Sequence, residues 1–486
     1  MSDKSDMSDG SDYTSSTQKK KPPLVNIMPC YYNRHSDMKM LIRNILLGLI
    51  LFGGICGCSS PAKQTSPRAH RSGPKNVIIM IADGGGFNHY KSADYYDCGD
   101  SPCQPYEDFP VRLAMSTYPY GGSYDANLVW HSFAYVDKGF TDSAAAATAM
   151  ATGVKTRNKT LGLDIDGRPV LNLSERAKQL GKAAGVITTV FFDDATPAGF
   201  VIHNGARSNL TQIADDMLDS NSVDCIMGAG HPFYDSDGRR TQEPNYKYIS
   251  EATWANLKNG SAGGSANPWT LIQTRAEFQA LAKGKTPNRV FGLVQVYDTT
   301  QQKRSGDASA DPYQVPLTQT VPTLAEMTNA ALNVLNNDPN GFFIMIEGGA
   351  VDWTAHANES GRLIEEMDDF NKSIEAVIRW IDTNSNWNET LVIITADHET
   401  GHITGPGSGQ TDRGFVWNDI ISNGPGKLPD IEWHSRNHTN SLVPFFAKGR
   451  GAEKFTETID GNDPLRGPYI DNTDIANTIF ALWLTK

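Results

Sequence analysis

The chain has 486 residues, which is room for one large α/β domain with insertions or for two or three smaller domains. Apolar residues make up 39% of the sequence and charged residues 20%, as is usual for a protein with a globular core. The formal net charge of −12 argues against a surface that binds nucleic acid, and it requires no special partner.

Residues 1–37 are rich in Ser, Asp and Lys and poor in apolar side chains. Such a composition cannot form a packed core, so the sequence predicts a disordered leader. No secretory signal begins in this way. We therefore expect translation to start at Met38 or Met40, so that residues 1–37 are not translated; if they are translated, they form the disordered leader.

Residues 38–57 have the pattern of a bacterial lipoprotein signal. Lys39 and Arg43 precede an apolar run that is too short to span a bilayer comfortably, and Gly57 then precedes Cys58. We expect acylation of Cys58, a flexible tether over residues 58–73, and a lipid-anchored protein exported to the cell envelope, facing the periplasm or the outside. The alternatives are an ordinary cleaved signal and an uncleaved anchor.

Cysteine usage agrees with export. Cys98 and Cys103 flank the sequence GDSP, which is typical of a tight turn, and they could form a local disulfide in an oxidising compartment. No second pair follows at the spacing of a zinc ribbon, so we do not expect a structural zinc site.

Five apolar runs lead into, or closely follow, side chains that can bind metals, and we predict that they are strands. Runs that are apolar throughout are typical of strands buried on both faces of a parallel sheet. Helical patterns separate them, for example over residues 361–382, and this alternation predicts an α/β fold. The runs are NVIIMIAD (76–83), GVITTVFFDDATP (185–197), GFFIMIEGG (341–349), TLVIITADHE (390–399) and SLVPFFAKG (441–449).

Four of these strand ends carry side chains of the metal-ligand type. A single Asp after a strand is more often a helix cap than a ligand, but four such ends are harder to explain by capping. Ligands of open α/β sheets bind at the carboxyl ends of the strands, so we expect these side chains to meet there. They are Asp83, the pair Asp193 and Asp194 with Thr196, Glu347, and the pair Asp397 and His398.

The stretch GFTDSAAAATAMATGVKT, residues 139–156, places Asp142 and Ser143 at the start of an alanine run. Helix capping alone explains this pattern about as well as a reactive site does. In the reactive interpretation, zinc activates the Ser143 hydroxyl and the helix N-terminus favours its negative charge, while Asp142 orients its neighbours. Arg207 follows in HNGAR, and its guanidinium suits two nonbridging phosphate oxygens; the alternative is a solvated surface residue.

Two further ligands have helical spacing. Asp352 and His356 are four residues apart, so one turn of helix places both on the same face, although a surface Asp–His pair has the same spacing. Asp397 and His398 can converge only if their strand has ended, and ADHETG is typical of a loop. Mixtures of Asp and His suit zinc, whereas Asp, Glu and Thr with water suit magnesium. There are enough ligands for two zinc ions, which could clamp the attacking and leaving oxygens of a phosphoryl transfer, and one magnesium ion.

From about residue 74 to the C-terminus the chain resembles the metal-dependent alkaline phosphatases. None of the shared motifs would suffice alone, but seven of them occur in the order of the family. They are DGGG (83–86), TDSAAAATAMATGVKT (141–156), DATPA (194–198), HNGAR (203–207), EGGAVDWTAH (347–356), TADHETG (395–401) and HT (438–439).

The resemblance implies a three-layer fold over residues 74–486, in which helices flank a central, mostly parallel sheet. It also implies a homodimer that hydrolyses small phosphate monoesters to an alcohol and inorganic phosphate through a phosphoserine on Ser143, with Arg207 as the phosphate clamp. It places a ligand at His438 rather than His434. The implied ligands are Asp352, His356 and His438 for the first zinc, Asp83, Asp397 and His398 for the second, and Asp83, Thr196 and Glu347 for magnesium.

The chain departs from the family pattern at several points. The first glycine motif is ADGGG, Trp353 stands where relatives carry Lys, His or Trp, and Asp194 keeps a carboxylate where others have His. Residues 235–320 match no motif and are interpreted as a variable insertion, such as a lid or crown.

Other enzymes with a two-zinc core are the main alternatives. Sulfatases need a Cys or Ser followed by Pro and Arg, which DSAAAA lacks, and diesterases commonly use Thr and lack the third metal site. A non-catalytic metal or phosphate binder would need a broken site, and no ligand is missing. These differences favour a monoesterase.

Overall fold

The computed structural model describes residues 73–264, 266–412 and 414–484. The predicted leader, signal peptide and acylated Cys58, and all of the tether except Gly73, lie outside the described residues. Strands and helices alternate through the described part of the chain, which confirms the predicted α/β class.

Seventeen strands are present in the described residues. They are β1 (Asn76–Ala82), β2 (Val111–Ser116), β3 (Ala183–Phe191), β4 (Cys225–Ala229), β5 (Thr270–Ile272), β6 (Val290–Leu293), β7 (Phe342–Gly348), β8 (Thr390–Thr395), β9 (Glu399–Thr400), β10 (Ile403–Thr404), β11 (Gly409–Thr411), β12 (Gly414–Val416), β13 (Glu432–Trp433), β14 (His438–Thr439), β15 (Val443–Gly449), β16 (Gly461–Asp463) and β17 (Gly467–Asp471).

The same part of the chain forms twelve α-helices and three short 3₁₀ segments. The helices are α1 (Phe87–Cys98), α2 (Phe133–Val136), α3 (Ser143–Thr152), α4 (Leu173–Gln179), α5 (Ala195–Gly199), α6 (Leu210–Asp219), α7 (Glu251–Lys258), α8 (Arg275–Leu281), α9 (Leu324–Leu335), α10 (Ala350–Ala357), α11 (Ser360–Asn384) and α12 (Thr473–Leu484). The 3₁₀ segments are Pro105–Asp108, Leu128–Trp130 and Ala452–Glu457.

Eleven strands form one sheet in the order β16-β17-β2-β15-β8-β1-β7-β3-β4-β6-β5. Pairing is parallel from β8 through to β5, as the apolar runs predict. The fifth run differs from the prediction, because β15 pairs antiparallel with both β8 and β2. The sheet is therefore mostly parallel, with antiparallel pairing toward one edge.

Helices cover both faces of the sheet. Alternate residues of β1 belong to two different hydrophobic clusters, with Ile79 in one and Ile78 in the other. The first cluster includes residues of α3, α4, α6 and α12, and the second includes residues of α9 and α11. Burial on both faces explains why these strands are apolar throughout, and it gives the three layers that the resemblance implies.

The order of the strands brings the predicted ligands to one edge. β8, β1, β7 and β3 are consecutive neighbours in the parallel part of the sheet, so their carboxyl ends lie side by side. Because β15 is antiparallel to β8, it begins at the edge where β8 ends, and His438 lies five residues before Val443, where β15 starts. The chain therefore brings His438 to the same edge just before β15 begins.

The segment interpreted as an insertion, residues 235–320, contributes to the main sheet. It supplies β5 and β6, which extend the parallel sheet beyond β4, together with α7 and α8. Whether it is variable among relatives stays a prediction, but it is not an appendage outside the sheet.

The predicted local disulfide is confirmed, since Cys98 and Cys103 are bonded at the end of α1. Cys225 is free and buried. No helix within the described residues combines the length and the apolar character that crossing a bilayer would require.

Candidate active site

Ser143 is the first residue of α3, and its side chain is buried beside the carboxyl edge of the sheet. The Asp142 carboxylate caps the helix by accepting a hydrogen bond from Ala145 N at 3.0 Å. Ser143 Oγ lies 3.3 Å from His398 Nε2. The capping and the reactive interpretations of this pair are therefore compatible, because the capped N-terminus favours negative charge at the serine.

The alanine run lets α3 pack closely against its neighbour. All ten residues of α3 are buried. A Cβ on Gly199 of α5 would lie only 2.8 Å from the Cβ of Ala147, so larger side chains would force the two helices apart. Thr196 lies on α5, so this close packing fixes the helix that carries it.

The structure places the six predicted zinc ligands in two groups of three. Within each group the three ligand atoms lie within 4.8 Å of one another. One group lines the open cleft, and we call it the outer group; the other is buried, and we call it the inner group. The outer group is Asp352, His356 and His438, and the inner group is Asp83, Asp397 and His398.

Backbone carbonyls orient both histidines of the outer group. His356 Nδ1 lies 2.5 Å from Arg436 O, and His438 Nδ1 lies 2.8 Å from Thr141 O, so each Nδ1 donates its proton and each Nε2 keeps its lone pair. The two Nε2 atoms face each other at 3.1 Å, and Asp352 Oδ2 lies 3.2 Å from His356 Nε2. Three acceptors that converge in this way need a proton or a cation among them, and their chemistry suits zinc.

Thr400 orients the histidine of the inner group. Its hydroxyl donates to Asp352 Oδ1 at 2.6 Å and accepts from His398 Nδ1 at 3.2 Å. The free His398 Nε2 faces Asp397 Oδ2 at 3.2 Å and Asp83 Oδ1 at 3.5 Å. The inner group therefore also presents acceptors to one point, as a metal site does.

Four buried oxygen atoms, two in the inner group and two beside it, have no hydrogen-bond partner among the described residues. Thr188 donates to one oxygen of Glu347 and leaves the other unpartnered. Buried polar atoms are rarely unpaired, and hard oxygen ligands of this kind suit magnesium. The four atoms are Asp83 Oδ1, Thr196 Oγ1, Glu347 Oε1 and Asp397 Oδ2.

The carboxylates at this point are too crowded to ionise easily without a cation. Burial, with Asp352 nearby, raises the pKa of Asp397 to about 7. Burial, with Asp194 and Asp397 nearby, raises the pKa of Glu347 to about 8. Burial and neighbouring carboxylates also hold the pKa of Asp83 well above its ordinary value. Divalent cations would remove this penalty, so the residues fit the metals that the resemblance implies.

The outer group favours positive charge as well. Burial opposes the shift, but the Asp352 carboxylate raises the pKa of His356 to about 9. Against the effect of burial, His356 and His438 hold the pKa of Asp352 below its ordinary range. A proton or a divalent cation can supply the charge that this group favours.

Arg207 is held in the site by two carboxylates, which excludes the solvated surface alternative. Its Nη2 donates to Asp194 Oδ1 at 3.0 Å, and its Nη1 donates to Asp142 Oδ2 at 3.3 Å. Although burial opposes it, these two carboxylates keep the pKa of Arg207 above its ordinary value. The guanidinium is therefore charged and fixed in a cleft that Ser143 also lines.

Gly84 explains the glycine that follows Asp83. Its φ of +71° lies in the left-handed region, and its N donates to Asp397 Oδ1 at 3.1 Å. A Cβ at this position would lie 2.9 Å from both Asp352 Oδ1 and Thr400 Oγ1. Only glycine lets the chain pass between the two groups.

The cleft above these residues has a volume of about 410 Å³. Its walls include Ser143 and Arg207 together with the whole outer group. The remaining lining residues are Phe191, Asp194, Lys303, Trp353 and Ala357.

Three residues of the site escaped the sequence reasoning. Thr188 holds Glu347 in place, and Thr400 holds His398. In the sequence, Thr188 is one residue of the apolar run 185–197 and Thr400 one residue of TADHETG, and nothing else marks them as site residues. Lys303 lies in residues 235–320, the unassigned segment that matches no motif, and nothing in the sequence marks it as a site residue. His434, the alternative to His438, instead has its Nε2 atom 2.7 Å from the Thr404 hydroxyl.

Comparison with known proteins shows one consistent relationship. The family described as Alkaline phosphatase matches residues 74–420. Alkaline phosphatase 4 of Bacillus subtilis is 28% identical over 94% of this chain and 99% of its own length. Alkaline phosphatase 3 of the same organism is 30% identical over 75% of this chain and 70% of its own length.

Solved structures give the same relationship. The alkaline phosphatase of the Antarctic bacterium TAB5 superposes with a TM-score of 0.59 at 26% identity, over 85% of this chain and 99% of its own. A histidine-to-aspartate variant of the TAB5 enzyme, described with Mg bound in its M3 site, has a TM-score of 0.58 at 24% identity, over 86% of this chain and 100% of its own.

Proposed function

This chain belongs to the alkaline phosphatase family and is a phosphoric monoester hydrolase, and we propose that Ser143 is the nucleophile of its reaction. One observation carries the proposal: the hydroxyl lies at a helix N-terminus, 3.3 Å from His398 of the inner group, and lines the same cleft as Arg207. Nucleophile, cation ligands and phosphate clamp thus meet around a space of substrate size.

The proposed reaction has two displacements at phosphorus. In the first, Ser143 Oγ forms a bond to phosphorus while the bond to the alcohol oxygen breaks; the serine hydroxyl loses a proton and the departing alcohol gains one. In the second, water forms a bond to phosphorus while the bond to Ser143 Oγ breaks; the water loses a proton, Ser143 Oγ regains one, and inorganic phosphate leaves. Arg207 binds two nonbridging oxygens in both steps, and Asp142 and Asp194 hold its guanidinium in position.

The metal content proposed for the site is two zinc ions and one magnesium ion. The outer and inner groups would each hold one zinc, and Asp83, Thr196 and Glu347 would hold the magnesium. When bound, these ions lower the pKa of bound hydroxyl groups and stabilise the charge on the attacking and leaving oxygens. Metal analysis of the protein after loading with excess Zn²⁺ and Mg²⁺ should give about two zinc and one magnesium per chain, and Glu347→Gln should lower magnesium without lowering zinc.

Trp353 is expected to weaken the magnesium site. An indole offers a donor but no acceptor, so it cannot accept a hydrogen bond from a water at the ion. Activity of the protein as purified should therefore rise when Mg²⁺ is added. Full magnesium occupancy with no response would contradict this expectation.

Export, a lipid anchor on Cys58 and a homodimer complete the proposal. The basic and apolar pattern before Cys58 supports the anchor, and the family resemblance supports the dimer. Cys58→Ala should release the protein from membranes or block its processing. An unmodified mature N-terminus at another residue would exclude the anchor, and a monomeric mass in solution would exclude the dimer.

The assigned reaction is tested by comparing substrate classes. We expect monoesters to be hydrolysed far faster than diesters or sulfate monoesters of the same alcohol. In acid-quenched samples, phosphate should be found on Ser143. Faster turnover of a diester would contradict the assignment.

A further inference from the structure

Lys303 is the lysine that lines the catalytic cleft, and it lies against Trp353. Its Nζ is 5.4 Å from the centre of the indole ring, which places a cation over an aromatic face. Trp353 is itself fixed, since Phe191 meets it edge to face at 6.0 Å and stacks on Tyr248 at 4.3 Å. The aromatic wall therefore holds the ammonium group at the cleft.

The backbone around Lys303 is fixed as well, although its side chain is exposed. Lys303 N donates to Thr299 Oγ1 at 2.8 Å, and Thr300 N donates to Thr189 O of β3 at 2.8 Å. The two flanking side chains are only 1% and 4% exposed, those of Gln302 and Arg304 respectively. The two buried neighbours fix the backbone from which the exposed Lys303 side chain projects.

Both flanking residues are tied to α11 and the residue before it. Gln302 Nε2 donates to Glu359 Oε2 at 2.9 Å, and Arg304 Nη2 donates to Glu365 Oε2 at 2.6 Å. Arg304 Nε also donates to Pro316 O at 3.2 Å. The segment is therefore anchored to α11, which directly follows α10 along the chain, and α10 carries Asp352 and Trp353.

The charges of the cleft leave Lys303 uncompensated. Arg207 is neutralised by Asp142 and Asp194 at 3.3 and 3.0 Å. Lys303 Nζ, by contrast, has no carboxylate within ion-pair distance among the described residues, and it lies over the Trp353 ring instead. An anionic group on a bound substrate, other than the phosphate held by Arg207, would meet this ammonium group.

We propose that Lys303, held by Trp353, binds a second anionic group on the leaving alcohol, so that the enzyme favours phosphate monoesters whose alcohol part carries a carboxylate or a further phosphate. The proposal rests on the monoesterase function and names a substrate class for it. The wall of the cleft that supplies Lys303 belongs to the unassigned segment, residues 235–320. That segment would therefore determine specificity as well as extend the sheet.

The test uses two pairs of substrates that differ in charge but hardly in shape. These are 3- and 4-carboxyphenyl phosphate, whose ring carries a carboxylate, and 3- and 4-carbamoylphenyl phosphate, whose ring carries a neutral amide of similar shape. For each pair the ratio of kcat/KM, anionic over neutral, is measured for the wild type, Lys303→Met, Lys303→Arg and the control Lys285→Met, whose exposed lysine does not line the cleft. Because each ratio is compared across variants, differences in leaving-group acidity cancel.

We expect the ratio to fall about three- to fivefold in Lys303→Met for at least one pair, as for an exposed ion pair. Lys303→Arg should restore most of it, and Lys285→Met should leave it unchanged. Added salt should lower the wild-type ratio toward that of Lys303→Met. Inhibition constants of the corresponding phenylphosphonates should shift in the same sense, which gives a readout independent of turnover.

Ratios in Lys303→Met equal to those of the wild type for both pairs would overturn the proposal, and the monoesterase function would stand. Failure of the wild type to hydrolyse any of the four substrates, with metals bound, would overturn both. The two failures are therefore distinguishable in one data set.

Discussion

The outer and inner groups have nearly the same chemistry, but one outer ligand, His356, is partly exposed and no inner ligand is. Both combine aspartate and histidine, yet the side chain of His356 is 38% exposed, whereas those of Asp397 and His398 are 0% exposed. Backbone carbonyls orient the outer histidines, and the Thr400 hydroxyl orients the inner one. The difference indicates that the inner group is part of the folded core beside the nucleophile, while the outer group faces substrate and solvent.

The sharpest test of this comparison is to remove one histidine from each group. His398→Ala should lower kcat/KM by about 10³-fold or more, because it removes the ligand nearest Ser143 and leaves buried carboxylates uncompensated. His356→Ala should cost about tenfold less, because water can replace an exposed ligand. Steady-state kinetics with metal analysis on both variants checks this. Equal losses would show that the difference in burial has no consequence for catalysis.

Arg207→Ala separates charge stabilisation from metal binding. It should lower kcat/KM by about 10²- to 10³-fold, since the guanidinium contacts oxygens whose charge shifts during transfer. Zinc and magnesium should stay bound, and phosphoserine should still form, but at a lower rate. Arg207→Lys should recover only part of the loss, because an ammonium cannot bind two oxygens in parallel. Loss of zinc in either variant would mean that Arg207 stabilises the outer or inner metal-ligand group instead of binding the phosphate.

Chelation should distinguish the groups in time. Under excess chelator we expect the outer ion to leave about tenfold faster than the inner ion, since release of a fully buried ion requires local opening of the fold. A stopped-flow record of zinc release should therefore show two phases, with His356→Ala accelerating only the fast one. A single phase that includes both ions would contradict separate sites.

The smallest expected effect is on stability and concerns His203, in the HNGAR motif that also carries Arg207. This histidine belongs to neither metal-ligand group, so it serves as a reference for both. His203 Nε2 lies 3.0 Å from Glu175 Oε1. This contact raises the pKa of His203 above 6.5 and, against burial, lowers that of Glu175 below 4.5. The His203 contribution is complete below its unfolded pKa and is lost as pH rises through the folded value; the Glu175 contribution is complete above its unfolded pKa and is lost on acidification.

The pair should therefore stabilise the fold most near pH 5.5. Glu175→Gln should reduce the free energy of unfolding by about 0.5 kcal/mol more at about pH 5.5 than at about pH 8.5. Denaturant unfolding at both pH values measures this. A loss that is the same at both would mean that the carboxylate acts only through its other oxygen, which accepts a hydrogen bond from Asn172 N at 3.0 Å and caps α4.

Much of the fold could be predicted from the sequence, because strands buried on both faces leave continuous apolar runs, as in Phe342–Gly348. The antiparallel direction of Val443–Gly449 could not, since SLVPFFAKG is an apolar run like the runs that form the parallel strands. The candidate site was recognisable where several motifs end at one edge of the sheet.

Contacts between distant segments were less accessible to sequence reasoning. Thr188 reaches Glu347 and Thr400 reaches Asp352 only after the strands are assembled. Lys303 lies in a segment without a motif, and its place in the cleft depends on two buried neighbours tied to α11 and the residue before it. Such residues act through tertiary contacts, and local patterns carry no record of those contacts.

The central claim is that Ser143 is the nucleophile, and it is tested most directly by trapping the covalent intermediate. The metal-loaded enzyme is mixed with a ³²P-labelled monoester, quenched in acid within milliseconds, digested and mapped by mass spectrometry. We expect label on the peptide that contains Ser143, no label in Ser143→Ala, and unchanged metal content in that variant. Label on another residue, or a Ser143→Ala enzyme with wild-type turnover, would contradict the account.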